Sequence, residues 1–432
     1  MKMRMKHAIA IGAAIWSVPM TQAVAGIDVQ AGDWKLDFSG NANGFYVDSN
    51  CDHGNPNTTA VIGGLVCTGD NAASVRNGLL PGALVFSATT RQEDIDINVT
   101  IGFYPGIDNV TNGAGANAGG LPNALGTPGI DARQTFLTFG DASWGTVKIG
   151  RDIGLFGKDA ILDDMTLLGV GTAAGNAAPG NTSLGRIGLG YIYTDWEPQI
   201  TYTTPSVGGF SASAGAFQPL NSVDNGTASP GSPSYTSHSS PQWQVGASFA
   251  WGDPKSDALT GKVWVDVVTQ HVKADSSLIA GYNYAGINTD YNGTAVDGGV
   301  KVDVAGFEAV LYGYSGKGVG TTGLYLYGAS EGGEARKSDG GYVQVTYKFD
   351  KLKLGASYGI SELKLAGDEQ QQVAGVDVSD LLKRNSSFVG GVYYSLTKSV
   401  TLVGEFIDSK ATAWNGNEGT EKDVALGGIL FF

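Results

Sequence analysis

The stretch DARQTFLTFGDASWGTVKIGRDIGLFGKDAILDDMTLL, residues 131–168, decides how the rest of the chain is read. It opens as a β-hairpin, with Arg133 to Phe139 as one strand and Gly145 to Arg151 as its partner. Asp141, Ala142, Ser143 and Trp144 supply the turn, because Asp and Ser hydrogen-bond their own backbone and favour reversal. Val147 and Ile149 fall on one face, Thr146 and Lys148 on the other, as in a strand with one apolar and one polar side. After Arg151 that period is lost. Residues 153–168 carry clustered apolar side chains and three carboxylates, Asp159, Asp163 and Asp164, and a Gly/Ala/Asn-rich run follows to Gly180. A loop this long between strands is usually functional or disordered.

The two-residue period recurs along the chain. Trp34, Leu36 and Phe38 alternate with Lys35, Asp37 and Ser39, and Ile95 to Phe103 alternate with Asp94 to Thr100. Val343, Val345, Tyr347 and Phe349 form another such face, as do Leu352, Leu354, Ala356 and Tyr358. Phe388, Val392, Tyr394 and Leu396 share a face, Leu402 and Phe406 another, and Val263 to Val272 is less regular. Short turns are expected near 92–93, 141–144, 206–209, 253–259, 305–306, 350–351 and 397–399. Long polar loops are expected near 49–82, 105–130, 152–198, 217–241, 273–298, 315–340, 365–385 and 411–420. Long and short connections alternate, which gives sixteen strands, and an even count with short turns at one end is the layout of a bacterial outer-membrane barrel. Closure is then required, because an unpaired backbone N–H or C=O in hydrocarbon costs several kcal/mol. Trp34, Trp144, Trp196, Trp251, Tyr347, Phe349, Phe431 and Phe432 lie near strand ends, where they are expected to form interfacial girdles.

The two ends of the chain agree. Met-Lys-Met-Arg-Met-Lys, an apolar run from Ala8 to Val18 and Ala23-Val24-Ala25 make a secretory signal peptide, residues 1–25, leaving 26–432 as the barrel. Removing Lys2, Arg4 and Lys6 with it takes the formal net charge from −14 to −17. No stretch is apolar for long enough to predict a transmembrane helix, glycine is abundant at 66 residues, and mean hydropathy is near zero. A soluble acidic enzyme of this length would alternate its strands with amphipathic helices, which are almost lacking here. At the C-terminus Val424, Leu426, Gly428, Leu430 and Phe432 share one face.

The strand opening with Arg133, the tight turn, the strand ending in Gly150-Arg151 and the acidic loop together resemble the general porins of Gram-negative outer membranes. So do Leu184-Gly-Arg-Ile-Gly188 with Tyr191-Ile-Tyr193, Gln199 to Pro205, and Gly208 to Ser211. The resemblance covers the mature chain. It implies an all-β, sixteen-stranded antiparallel transmembrane barrel with an in-folded third loop, working as a water-filled diffusion channel for ions and small hydrophilic solutes. It implies no enzyme activity, no cofactor and no nucleic-acid partner. It implies a homotrimer among outer-membrane lipid and lipopolysaccharide, and a terminal strand ending in Phe432 that the barrel assembly machinery reads.

In that family the acidic residues of the in-folded loop face a basic patch on the wall. The resemblance therefore puts Asp159, Asp163 and Asp164 on the acidic side of the constriction. On the basic side it puts Arg76, Arg133, Lys148, Arg151 and Arg186; Lys148 also follows from periodicity, lying opposite Val147 and Ile149. Ordinary solvated lumen charges are the plainer reading of each. The acidic balance suggests a mild cation preference. Cys51 and Cys67 lie in the first long loop, where export conditions favour a disulfide; two free thiols are the alternative. His53 stands alone near them, so no metal site is expected. Rival readings are a sugar- or phosphate-selective channel on the same barrel, a barrel hydrolase using His238 or His271, and an exported β-helix or adhesin.

Overall fold

Alternation in the sequence becomes the two faces of one wall. The structure, a computed structural model, describes residues 26–51, 61–67, 69–107, 130–173, 175–177, 179–220, 240–253, 258–273, 290–330, 333–370 and 380–432. Residues 1–25, His53, His238 and much of the long polar loops lie outside the described residues. The strands are β1 (Ile27–Ala31), β2 (Trp34–Cys51), β3 (Ala72–Arg76), β4 (Ala83–Gln92), β5 (Ile95–Pro105), β6 (Ile130–Asp141), β7 (Gly145–Ile153), β8 (Trp196–Thr203) and β9 (Phe210–Phe217). They continue as β10 (Gln242–Trp251), β11 (Thr260–Lys273), β12 (Asp290–Val304), β13 (Phe307–Lys317), β14 (Lys337–Phe349), β15 (Leu352–Lys364), β16 (Leu382–Ser395), β17 (Val400–Ala413) and β18 (Glu418–Phe431). Among the described residues there are also two short helices, α1 (Lys158–Leu162) and α2 (Gly367–Gln370), and a 3₁₀ turn at Met165–Leu168.

Neighbouring strands pair antiparallel in sequence order, and β18 returns to β2, from Phe431 opposite Asn41 to Glu421 opposite Cys51. The wall is thereby a closed sixteen-stranded barrel. Two short strands escape sequence reading. β1 pairs with the start of β2, Ile27 opposite Phe38, and so continues the line of β18. Its five residues are too few for alternation to be recognised. β3 and β4 pair with successive parts of β2 and act as two halves of one wall strand. Arg76 therefore lies within the wall. Asn77 and Leu79, between the halves, are buried.

Large apolar side chains point outward all round the wall: Phe86, Val99, Leu137, Ile200, Val245, Val265, Leu311, Val345, Leu354, Val392, Phe406 and Leu426 are all exposed in the isolated chain. These are the lipid-facing positions of a barrel, whereas the inward positions carry Ser87, Thr100, Gln199, Gln244, Gln344 and Ser387. Phe38 packs on Phe86 and Phe432, whose backbone exchanges hydrogen bonds with Gly40. That contact seals the first and last wall strands. Trp196 departs from the expected girdle: it is buried, turned inward against Tyr104. Two expected loops also shrink, because β12 begins at Asp290 and only 414–417 separate β17 from β18. The outward positions Asn292, Thr294 and Lys410 there are polar, so the alternation is hidden from sequence reading.

Candidate functional site

The long connection between β7 and β8 runs inside the ring. Its two ends meet where the Gly154 N–H donates to the Asp195 carbonyl. The outgoing arm holds little regular structure, only α1 and the 3₁₀ turn, so most of its backbone donors must find partners elsewhere. Inward side chains of the wall provide them. Gln244 on β10 accepts from the Leu155 and Phe156 N–H groups, and Asp297 on β12 accepts from Gly157 at 2.7 Å. Gln344 on β14 accepts from Met165 and donates to the Asp163 carbonyl. Glu405 on β17 accepts from Val170 and Gly171, both at 2.8 Å, and from the Tyr393 hydroxyl. Four strands thus peg the arm at successive points along the inner wall.

Apolar contact adds the larger share of the attachment. Phe156, Ile187 and Ile192 are fully buried and share a core with Trp264, Val268, Tyr312 and Tyr342, which line the inside of β11, β13 and β14. Each such side chain stabilises by about 1.5–3 kcal/mol, against about 0–1 kcal/mol for an exposed ion pair. Two glycines are required by close approach. A Cβ at Gly169 would fall 2.1 Å from the Glu405 carboxylate, and one at Gly78 would fall 2.1 Å from the Gly169 carbonyl.

The charges named from sequence separate into two groups. Asp159 and Asp163 lie along one edge, only slightly open to the lumen, at 13% and 9% side-chain exposure. Asp159 pairs with Lys262 of β11, and Asp163 with Lys301 of β12 at 3.1 Å. Lys301 also holds Glu308 of β13 at 2.9 Å, and Lys353 of β15 approaches Glu308 at 3.9 Å. Lys148 of β7 pairs with Asp152, its side chain 29% exposed, and Arg151 is half-buried. Burial works to raise the Asp159 carboxyl, but Lys158 and Lys262 together outweigh it and hold it below its ordinary value. At Asp163 burial prevails over Lys301 and the carboxyl is raised.

The other named residues lie within the packing. Asp164 is buried, caps the 3₁₀ turn by accepting from Thr166 N–H, and accepts from the Tyr191 hydroxyl at 2.9 Å. Burial raises its carboxyl, with the Arg186 charge opposing. Arg186 is fully buried and donates to Ser357 and Ser387. Arg76 donates to the Ala173 and Thr182 carbonyls. Arg133 pairs with Asp131 at 2.8 Å and reaches Asn181. These three arginines do not face Asp159 and Asp163 across open lumen; they tie the loop to the wall. The physical reason is the guanidinium fork, which satisfies several carbonyls or hydroxyls at once. Lys262 and Lys301 are the cations that sequence reading missed. They sit at inward positions, beside outward Val263 and Val300, but nothing local says which inward lysine meets the loop.

Cys51 and Cys67 form a disulfide, with Cα atoms 5.3 Å apart. Described residues 61–67 then run along the inner face of the wall. Among the described residues no group of His, Cys, Asp and Glu could hold a metal. His271 is turned to Asn292, 3.1 Å away.

A family model described as Gram-negative porin matches residues 13–412. Curated proteins bring no match. Among solved structures the outer membrane channel DcaP of Acinetobacter baumannii is similar over 95% of this chain and 100% of its own, at 16% identity and a TM-score of 0.63. Salmonella typhi OmpF, solved with daunomycin, covers 94% of this chain and 100% of its own at 15% identity and 0.53. Pseudomonas putida OprB covers 92% and 94% at 14% identity and 0.53.

Proposed function

The chain belongs to the Gram-negative porin family and is an outer-membrane channel, and we propose that its β7–β8 loop is the constriction through which ions and small hydrophilic solutes diffuse. The observation that carries this reading is the inward path of that loop, pegged by Gln244, Asp297, Gln344 and Glu405, with its charged edge of Asp159 and Asp163 set against Lys262 and Lys301. Lys148 and Arg151 are the remaining basic members of the constriction. These ion pairs lie side by side on one edge of the lumen, where a charged and hydrated rim favours polar solutes over apolar ones.

Because each edge carboxylate has its own lysine, the constriction is nearly neutral. Selectivity is then weak and leans to cations through the acidic balance of the whole chain. The protein makes and breaks no bonds. It assembles as a homotrimer within lipid and lipopolysaccharide, after export by residues 1–25 and recognition of the terminal strand by the assembly machinery; a Vibrio cholerae OmpT structure titled as a trimer form shares the fold at a TM-score of 0.50.

Planar-bilayer recording tests this. Conductance rising in steps of three, with a weakly cationic reversal potential in a salt gradient, is expected. Absence of channels from purified, folded protein, or anion selectivity, refutes it. Liposome swelling with a sugar series beside phosphate distinguishes a solute-selective channel.

A further inference from the structure

The β7–β8 loop is not alone inside the ring. After the Cys51–Cys67 disulfide, residues 61–67 cross the inner faces of β18, β17 and β16. The Cys67 N–H donates to Glu421 of β18 at 2.7 Å. Gly64 lies against Ala411 of β17, where an added Cβ would come within 3.1 Å of the alanine Cβ. Leu65 N–H donates to the Asn385 side chain of β16, and that side chain donates back to the Gly63 carbonyl. Ile62 then makes a parallel bridge with Leu381, donating to the Asp380 carbonyl and accepting from Leu382, both at 2.9 Å. Glu421 and Asn385 are fully buried, and both stand in the inward phase of their strands.

This strap also meets the β7–β8 loop. Leu65 approaches Gly188, where a Cβ would fall 2.5 Å from the leucine methyl, and Gly63 sits against the Tyr327 ring. Ile62 joins a cluster with Tyr327, Leu363, Leu381 and Trp414. The strap leaves from the end of β2 remote from the β1–β2 turn, the same end from which the β17–β18 connection at 414–417 departs. It therefore lies on the long-loop side of the β7–β8 loop. Its root is tied to the wall by the Cys51–Cys67 disulfide, which closes a loop with a sequence separation of 16, and by the hydrogen bond from Cys67 N–H to Glu421.

We propose that residues 61–67 form a second constriction, in series with the first on its outer side, and that the Cys51–Cys67 disulfide holds it in place. The strap sets the size limit for solutes crossing in either direction, and reduction by an added dithiol, which is oxidised to its own disulfide as Cys51 and Cys67 become thiols, releases it. The physical basis is entropic. The disulfide ties Cys67 to the wall at Cys51, so opening it gives the strap many conformations to set against its hydrogen bonds and the contacts of Ile62. This proposal rests on the channel reading above.

The test uses the full folded protein in bilayers and liposomes, oxidised and after reduction of the disulfide, with thiol labelling to verify that it has opened. Reduction is expected to raise single-channel conductance and to shift the exclusion limit in sugar-swelling assays to larger solutes. Asn385→Ala, which removes the strap's two hydrogen bonds with that side chain and leaves the cysteines intact, is expected to shift both in the same direction. Unchanged conductance and exclusion limit after verified reduction, or a fall in either, overturns the strap and leaves the channel standing. Oxidised protein that forms no channel at all overturns both.

Discussion

Removing the charge of Lys301 and removing that of Asp163 are expected to act unequally, although the two are partners at 3.1 Å. Lys301 is 8% exposed and holds two carboxylates, Asp163 and, at 2.9 Å, Glu308. At such a separation each attraction is worth about 5 kcal/mol with an effective dielectric of about 20. Lys301→Met leaves both carboxylates short of a cation, Glu308 keeping only Lys353 at 3.9 Å. Breaking a buried pair in this way costs roughly 3–5 kcal/mol. Asp163→Asn is different. Burial already outweighs the pull of Lys301 on this carboxyl, and Lys301 keeps Glu308. The cost there is expected to be smaller, because the substitution removes a charge that burial already disfavours.

The Lys301→Met channel should show excess open-state current noise and faster proteolysis within the loop, while Asp163→Asn should be quiet. Their selectivities should move oppositely. A unit charge within the screening distance of about 8 Å shifts a monovalent ion by about 0.5 kcal/mol in water-like dielectric. Cations and anions respond with opposite sign, so the permeability ratio changes about fivefold by the same Coulomb arithmetic. Reversal potentials in a salt gradient read it: more cationic for Lys301→Met, more anionic for Asp163→Asn. Shifts of the same sign, or a noisier Asp163→Asn, would refute the assignment of this edge to the permeation path.

Three further outcomes are expected. Glu405→Ala strands the Val170 and Gly171 N–H groups and the Tyr393 hydroxyl, each at about 1–3 kcal/mol, so protease should cut the loop tip near Gly175 faster than in Glu405→Gln, which keeps an acceptor. Gly78→Ala drives a methyl to 2.1 Å from the Gly169 carbonyl and 2.8 Å from the Phe45 ring, and should free the same tip; Gly390→Ala, whose nearest neighbour is 3.7 Å away, should be silent in the same assay. Asp195 is buried and its carboxyl is pushed up to about 7 from 3.8. Its folded form binds the proton more tightly than its released form, so loop attachment is strongest below about pH 4 and weakens as pH rises to about 7. Hydrogen exchange at 186–195, corrected for intrinsic rates, should quicken across that window. Asp195→Asn, acceptable at the positive φ of 59° because Asn tolerates that region, should abolish the change.

The wall was legible because lipid imposes a period of two on every strand that crosses it, and Val343, Val345 and Tyr347 announce that period without reference to any other residue. β1 and β3 were not, since five residues seen through one or two apolar positions give no period. The inward loop poses a harder problem. Gln244 between Trp243 and Val245, and Gln344 between Val343 and Val345, were visible as polar residues in the inward phase, but so were Ser87 and Thr100, which hydrogen-bond each other. What distinguishes them is a need that arises in residues 154–173: a chain segment with few hydrogen bonds of its own, buried inside a barrel, must find acceptors on the wall. That need can be estimated from sequence, and it predicts long acceptors, Gln, Glu or Asp, where the wall would otherwise carry small side chains. The same reasoning explains why Arg76, Arg133 and Arg186 were read as lumen charges. A loop returning on itself leaves carbonyls unpaired as well as N–H groups, and arginine is the side chain that can satisfy several together. An arginine near such a loop is therefore ambiguous between lining the water and binding the backbone. Only the loop's path decides between them, and here Lys262 and Lys301, nearer the turns, meet the carboxylates instead.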